Sequence, residues 1–357
     1  MGFPPETIGA LLKAGIQAPS GDNMQPWRFH WDGDALEIIL DAKRDESLFN
    51  VRQLASVVAL GAVVENLALA ASTYGYRAEV QYFPGGNSSD VVTRIQFHAG
   101  AQPEPLAAAI FARCVNRRSY DRRAVLTPEA TAALTNEALL FPGIGIGWVT
   151  DLARRKRLAR ITARGDRLLF ENAEVHGHLF SCIRWTQNEA EKTRDGLPLS
   201  TLELNGVDAL MFPKLKHWSL VRRLNFLGLS RVVAMKSGAL IRTSSAVGLI
   251  TVPDASPEAF LQAGRAFERV WLRATLEKLS FQPMTGFVLL QLRCRLGDRH
   301  GLTEEQVELL ASTAKELAAV FPGLEGKMPA LMFRVGKAPA PSGRTLRRDL
   351  SEISNLS

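Results

Sequence analysis

The sequence predicts an α+β fold, and three observations predict it. Apolar helical runs alternate with short strand pairs joined by Gly- and Asp-rich turns. The run from Leu54 to Tyr76 is apolar nearly all round, which marks a buried helix rather than a surface one. A second long helix, from Phe260 to about Leu279, repeats its landmarks: Gly61-x-x-x-Glu65 with Leu69 and Ala71 recurs as Gly264-x-x-x-Glu268 with Leu272 and Ala274 at one constant offset.

Taken in order, Ile8, Leu11, Leu12 and Ile16 fall at helical spacing, so an amphipathic helix ends near Gln17. Pro19 stops it, because a proline lacks the N–H and crowds the preceding turn. The stretch Ala18-Pro19-Ser20-Gly21-Asp22-Asn23-Met24-Gln25-Pro26-Trp27 is then a polar loop, suited to presenting hydrogen-bonding groups to a planar polar ligand. Trp27 to Ile39 reads as strand, Asp32-Gly33-Asp34 turn and strand. Gly75 ends the buried helix, and Arg77–Phe83 with Val91–His98 predict a hairpin across Pro84-Gly85-Gly86-Asn87. Gln102-Pro103-Glu104-Pro105 marks a boundary, giving an N-terminal unit 1–102 and a C-terminal unit 103–357.

Beyond the boundary, Leu106–Val115 reads as a helix leading into Asn116-Arg117-Arg118-Ser119-Tyr120-Asp121-Arg122-Arg123. Guanidinium forks beside a hydroxyl suit a phosphate monoester. Gly143-Ile144-Gly145-Ile146-Gly147 fails as a dinucleotide loop, since its third glycine is one position early and a strand follows. Residues 189–242 are the least regular part, with Phe212, Leu215, Trp218, Val221, Leu224, Phe226 and Leu229 at roughly helical spacing among arginines; they read as a cover, or lid, over a buried site. Val247–Val252 is a strand, the Gly264 helix follows, and Gln282-Pro283-Met284-Thr285-Gly286-Phe287 is a loop after it.

The chain has 357 residues, 46% hydrophobic and 22% charged, enough apolar material for a large core. Its formal charge of +7 suits anionic partners. Arg154 to Arg167 crowd one helix, but no aromatic residues interleave with them, so no nucleic-acid partner is expected. No signal-peptide pattern and no apolar run near ~20 residues are read, so the expected location is cytoplasmic, away from membranes. Cys114, Cys182 and Cys294 form no paired motif and are expected as buried free thiols. His176 and His178 are two apart, which on a helix directs them apart, and no metal site is expected.

Ala-Pro-Ser-x-x-Asn-x-Gln-Pro-Trp at 18–27 resembles the signature loop of the FMN-dependent nitroreductase family. Arg117-Arg118-Ser119, Pro283-Met284-Thr285-Gly286-Phe287, Phe333-Arg334-Val335-Gly336 and the terminal Gly343-Arg344-Thr345-Leu346-Arg347-Arg348 are similar to further motifs of that family. The resemblance implies that Pro19, Ser20, Asn23 and Gln25 lie against the flavin ring and ribityl chain. It implies that Arg117, Arg118, Ser119, Arg347 and Arg348 hold the FMN phosphate, and that Pro283, Met284, Thr285 and Gly286 pass by flavin N5. Asp121 departs from the pattern where a basic residue is usual, and Thr285 stands where many relatives carry glutamate.

Ordinary members of that family are dimers with FMN at the subunit interface. Here the loop occurs only in the first half and the phosphate motif only in the second. The resemblance therefore implies a nitroreductase-like α+β fold with two related sheet-plus-helix halves in one chain, a fused pseudo-dimer acting as a monomer or weak homo-oligomer. The implied activity is hydride transfer from NADH or NADPH, through flavin N5, to a small-molecule substrate such as a nitroaromatic or quinone. No protein acid or base is assigned a catalytic role. The alternative is a protein that binds and sequesters FMN under a closed lid; a cofactor-free partner-binding module would leave the motif matches as coincidence.

Overall fold

The computed structural model describes residues 5–86, 89–204, 206–321, 323–324 and 326–356. The first half begins with helix α1 (Pro5–Gly15), hairpin strands β1 (Trp27–Trp31) and β2 (Ala35–Leu40), helix α2 (Leu54–Thr73), and strands β3 (Tyr76–Tyr82) and β4 (Val91–Ala99). The turn between β3 and β4 extends past Gly86 into Asn87, which lies outside the described residues. The expected helix at 106–115 is only a short 3-10 turn over Pro105–Ala109. Beyond it the chain is held out by tertiary bonds: Arg113 to the Gln17 carbonyl, and the Asn116 N–H to the Phe281 carbonyl.

The second half opens with α3 (Pro128–Leu139), capped by the Thr127 hydroxyl, and β5 (Gly145–Val149). A long excursion follows: α4 (Leu152–Asp166), α5 (Leu168–Glu171), α6 (Ala173–Ser181), β6 (Ile183–Arg184), α7 (Gln187–Thr193), β7 (Leu197–Pro198), α8 (Gly206–Met211), α9 (Trp218–Asn225) and α10 (Leu229–Thr243). The cover expected at 189–242 is thus the latter part of a larger, mainly helical body with one small strand pair, and its Phe212, Leu215, Trp218 and Val221 cluster with Phe170 and Phe180 within that body instead of covering a site. The chain then returns through β8 (Ala246–Val252), α11 (Pro257–Leu276), β9 (Ser280–Pro283), α12 (Gly286–Arg295), α13 (Glu304–Val320) and β10 (Met328–Gly336). It closes with α14 (Leu350–Ile353) and β11 (Ser354–Leu356).

The two main sheets repeat one topology. The first runs β1-β2-β4-β3, with β11 added beside β1, and the second runs β5-β8-β10-β9. Every pairing within each four-strand unit is antiparallel, whereas β11 is parallel to β1 and the small β6–β7 pair is parallel as well. In each unit the long helix, α2 or α11, lies between the second and third strands in sequence. The helices meet at their glycines. A Cβ on Gly61 would lie 2.1 Å from the Leu261 carbonyl oxygen, and one on Gly264 2.0 Å from that of Val58. Leu261 and Val58 are separated by the same offset as the two glycines, so the contact is the same from both sides, as a two-fold axis requires.

One core runs through both halves, with Leu60, Val63, Val64 and Leu67 of α2 fully buried against Phe260, Ala263, Phe267 and Trp271 of α11. The stretch Val51–Thr73 is long and apolar enough to cross a membrane, contrary to the sequence reading of run lengths, but 89% of its apolar window is buried inside the protein. Burial on all sides by protein explains its all-round apolar composition. Of the three free thiols only Cys182 is buried; Cys114 and Cys294 are partly exposed.

Candidate functional site

A cavity of about 510 Å³ lies where the halves meet. The 19–23 loop and the start of α2 (Ala55, Val58, Ala59) form one wall; Phe267 and Trp271 of α11 join Pro283, Met284, Thr285, Gly286 and Phe287 in another. Arg113, Arg117, Arg344 and Arg347 enter from the connecting segments. The excursion closes the remaining side with Asp166, Leu168, Leu169, Leu179, Leu197, Leu202, Ser237 and Leu240.

Unusual backbone angles and a set of hydrogen bonds hold the loop. Asp22, Asn23 and Gln25 all take positive φ (45°, 59° and 54°), conformations that L residues keep only when neighbours hold them. The Ser20 hydroxyl accepts the Gln25 N–H at 2.9 Å. The Asn23 amide donates to the Gly196 and Leu346 carbonyls, both at 3.1 Å, and its oxygen accepts from Arg347 at 3.0 Å. Gln25 is fully buried, donates to the Arg194 carbonyl at 2.8 Å and accepts the Arg348 N–H at 2.8 Å. The loop is therefore pinned between the excursion (residues 194–196) and the C-terminal tail (residues 346–348), and β11 secures that tail to β1.

Of the residues expected at the site, Pro19, Ser20, Asn23, Arg117, Pro283, Met284, Thr285, Gly286 and Arg347 line this one cavity. Gln25, Arg118, Ser119 and Arg348 do not. The Gln25 amide is occupied by backbone partners, which makes it a clamp on the loop rather than a cavity group. Arg118 pairs with Glu203 at 3.2 Å and with the Ser342 hydroxyl at 2.7 Å. Ser119 is exposed, and the Arg348 guanidinium faces Glu352.

Two arginines beyond the expected set lie here. Arg113 stacks on the Trp271 ring at 4.4 Å and pairs with fully buried Glu268 at 3.0 Å. Arg344 donates to the carbonyls of Ala112 and Arg113. Arg113, Arg344 and Arg347 act on one another electrostatically, with Glu268 as the carboxylate among them. Burial, then the Arg113 and Arg344 charges, push the Arg347 pKa down to about 9, against the pull of Glu268. Guanidinium keeps its proton in practice, so the shift expresses an unmet need for counter-charge. The Arg347 Nε is also buried without a hydrogen-bond partner. Arg117 stands apart from this trio: it donates to the Thr201 carbonyl at 3.2 Å, and the acids acting on it are Asp22 and Glu203.

At the other wall, the Thr285 hydroxyl bonds the Met332 carbonyl at 3.0 Å, so Thr285 fixes the start of α12. The first N–H groups of that helix have no partner within it. Asp166, at the end of α4, is the acid on the excursion's otherwise mainly apolar wall; burial pushes its pKa up to about 6, with the Ser237 hydroxyl opposing. Arg344 belongs to the terminal motif, but no sequence signal groups it with Asp166 and Arg113, because the three come from distant segments.

No family model matches the chain. A curated relative, the uncharacterized protein MT1398 of Mycobacterium tuberculosis, is 27% identical over 349 residues, 97% of this chain and 48% of that protein. The chain thus spans about half the length of the relative it matches. Among solved structures, the FMN-dependent nitroreductase NfnB of Mycobacterium smegmatis in complex with NADPH matches at 15% identity and a TM-score of 0.39, over 70% of this chain and 96% of that one. A nitroreductase with bound FMN from Desulfitobacterium hafniense matches at 11% and 0.37, over 71% and 99%. Iodotyrosine deiodinase bound to FMN and 3-iodo-L-tyrosine matches at 12% and 0.37, over 68% and 95%. At these scores the likenesses transfer no residue roles; the site stands on its own geometry.

Proposed function

We propose that the chain is an FMN-dependent oxidoreductase of nitroreductase type, holding one flavin between its two halves. The carrying observation is the convergence, on one cavity of about 510 Å³, of the 19–23 loop, the 283–286 loop and an arginine cluster short of counter-charge. The volume lies in the range of small-molecule and cofactor sites. Arg347, Arg344 and Arg113 would hold the phosphate, and the unpartnered Arg347 Nε offers it a buried donor. Ser20 would orient the ribityl chain and ring, Asn23 would hold the loop in place through Gly196, Leu346 and Arg347, and the opening N–H groups of α12 would face the ring edge. When bound, FMN supplies hydride acceptance and donation at N5. The protein's part is to grip the phosphate, fix the ring against the α12 start and exclude water with the leucine-lined wall of the excursion. A nicotinamide donor and a small organic acceptor would enter this same cavity.

The same wall favours a second reading, sequestration of FMN without turnover. Arg44 and Arg184 both pair with Asp195, which anchors the excursion against the loop side. Stopped-flow reduction by NADH and NADPH separates the two. The oxidoreductase reading expects flavin bleaching in the intact protein and in a variant whose wall residues Leu197, Leu202 and Leu240 are changed to Ala. Bleaching only in the opened variant makes the protein a flavin store. Purified protein free of flavin, and unable to bind added FMN, would sink both.

A further inference from the structure

Beside the cavity, where the same loop meets the end of α6, three side chains from two segments converge. His178 and Cys182 are four apart at the C-terminal end of α6, so they share one helix face. Asp22, held at φ 45°, reaches them from the loop. The His178 Nε2 lies 3.1 Å from the Asp22 Oδ2 and 3.5 Å from the Cys182 Sγ, and all three ligand atoms lie within 4.8 Å of one another. One ring nitrogen therefore faces both a carboxylate oxygen and a sulfur, yet it has a single proton or lone pair to share. Hydrogen bonding satisfies one of those neighbours and leaves the other.

A tetrahedral metal ion satisfies both. With Zn–N near ~2.05 Å, Zn–O near ~2.1 Å and Zn–S near ~2.3 Å, the ligand-to-ligand edges come to ~3.4 Å for N–O and ~3.6 Å for N–S. The two observed separations lie close to those edges. An imidazole, a thiolate and a carboxylate form a donor set of Zn2+ type rather than one for Mg2+ or Ca2+, which prefer all-oxygen shells. Cys182 is buried, His178 and Asp22 are partly so, and a cleft of about 290 Å³ lined by Met24, Ser47, Glu174 and Ser181 opens on His178 and Cys182. That cleft leaves room for a water as fourth ligand.

We propose that Asp22, His178 and Cys182 form a Zn2+-class metal site that ties the excursion to the 19–23 loop. On binding, the ion takes the thiolate of Cys182 and its proton goes to solvent. The site joins two segments that are far apart in sequence and adjacent only in the folded chain, so the bound ion fastens the wall of the large cavity to the loop beneath it. Nothing in this depends on a flavin being present.

The test uses the full chain, stripped with a chelator and dialysed against Zn2+ or Co2+ alone. About one equivalent of Zn2+ should stay bound to the parent protein, and that equivalent should be lost in both Cys182→Ser and His178→Gln. The Co2+ form should show a thiolate-to-metal charge-transfer band, absent from Cys182→Ser. X-ray absorption on the Zn2+-loaded parent, which needs no variant to fold, should find one sulfur at ~2.3 Å with nitrogen and oxygen neighbours at ~2.0–2.1 Å. A parent that retains no Zn2+, variants that both retain it, or a metal shell of nitrogen and oxygen only would each overturn the proposal and leave a hydrogen-bonded cluster.

Discussion

The two halves of the chain share a scaffold, and two of their differences bear on the site. Between its first two strands the N-terminal half has only the three residues Asp32, Gly33 and Asp34, whereas the C-terminal half inserts the entire 150–245 excursion between β5 and β8. The second difference is at equivalent buried acids. Glu65, four residues beyond Gly61, meets Arg265 at 2.8 Å and Arg269 at 2.9 Å, and Arg269 continues to Glu137 and Glu104. Glu268, four beyond Gly264, has Asn66 and Arg113 beside it. By the shared offset, Asn66 is the counterpart of Arg269 and Ala62 that of Arg265. Two arginines from α11 thus complete an ion-pair network around one acid, while small or neutral counterparts on α2 leave the other acid to underlie a cavity. A duplicated scaffold has one end filled and one end open.

The crossing should be the most sensitive point, and equally so from both sides. Gly264→Val and Gly61→Val each force a side chain onto a backbone carbonyl at about 2 Å, which neither helix can relieve without separating. Each should lose about 4 kcal/mol in urea denaturation, near the upper end for overpacking. A large loss from one and almost none from the other would end the two-fold description.

Next comes the filled end. Arg269→Ala removes the centre of a network whose acids, Glu65 and Glu137, are nearly inaccessible, and should cost about 3 kcal/mol of stability with FMN affinity unchanged. Calorimetric flavin titration of the refolded variant checks the second part.

At the open end the pattern should invert. Arg347→Ala removes a cation short of counter-charge but also its bonds to Asn23 and the Gln17 carbonyl, so apo stability should fall by about 1–2 kcal/mol, less than for Arg269→Ala. FMN affinity should fall on the order of 10- to 100-fold, with riboflavin affinity much less affected, because a charge-assisted hydrogen bond is worth about 1.5–3 kcal/mol. Equal losses for both flavins would place Arg347 in the scaffold rather than at a phosphate.

The smallest effect is a pH profile. Asp166 has its folded pKa raised to about 6, above its unfolded value near 3.8, so its contribution to stability is complete below about pH 4 and is lost as pH rises through about 6. Asp166→Asn should therefore match the parent at pH 4 and exceed it by about 1–2 kcal/mol at pH 8. Parallel stability curves for the two proteins would show that water reaches this carboxylate freely.

The sequence by itself determined the local pieces. Apolar period, prolines and turn residues set the α1-loop-hairpin start, the β3–β4 pair and both long helices, because those signals act within a few residues of one another. The Gly-x-x-x-Glu repeat was legible too, since close helix packing demands a residue without a side chain at the crossing whatever surrounds it. The loops at 19–23 and 283–286 and Arg347 could be picked out by motif. What the sequence could not decide was which polar groups would reach the cavity. Gln25 and Ser119 sit in equally motif-like surroundings, yet one is consumed by backbone partners and the other turns to solvent. Arg113 joins the site because the helical turns end at residue 113, where its side chain bonds the Gln17 carbonyl and the chain runs on to Phe281 instead of continuing as a helix. Asp166 and the Asp22–His178–Cys182 group exist only where the excursion folds back on the first half. Such groupings arise from contacts across more than a hundred residues, where burial and counter-charge, not local propensity, choose the partners.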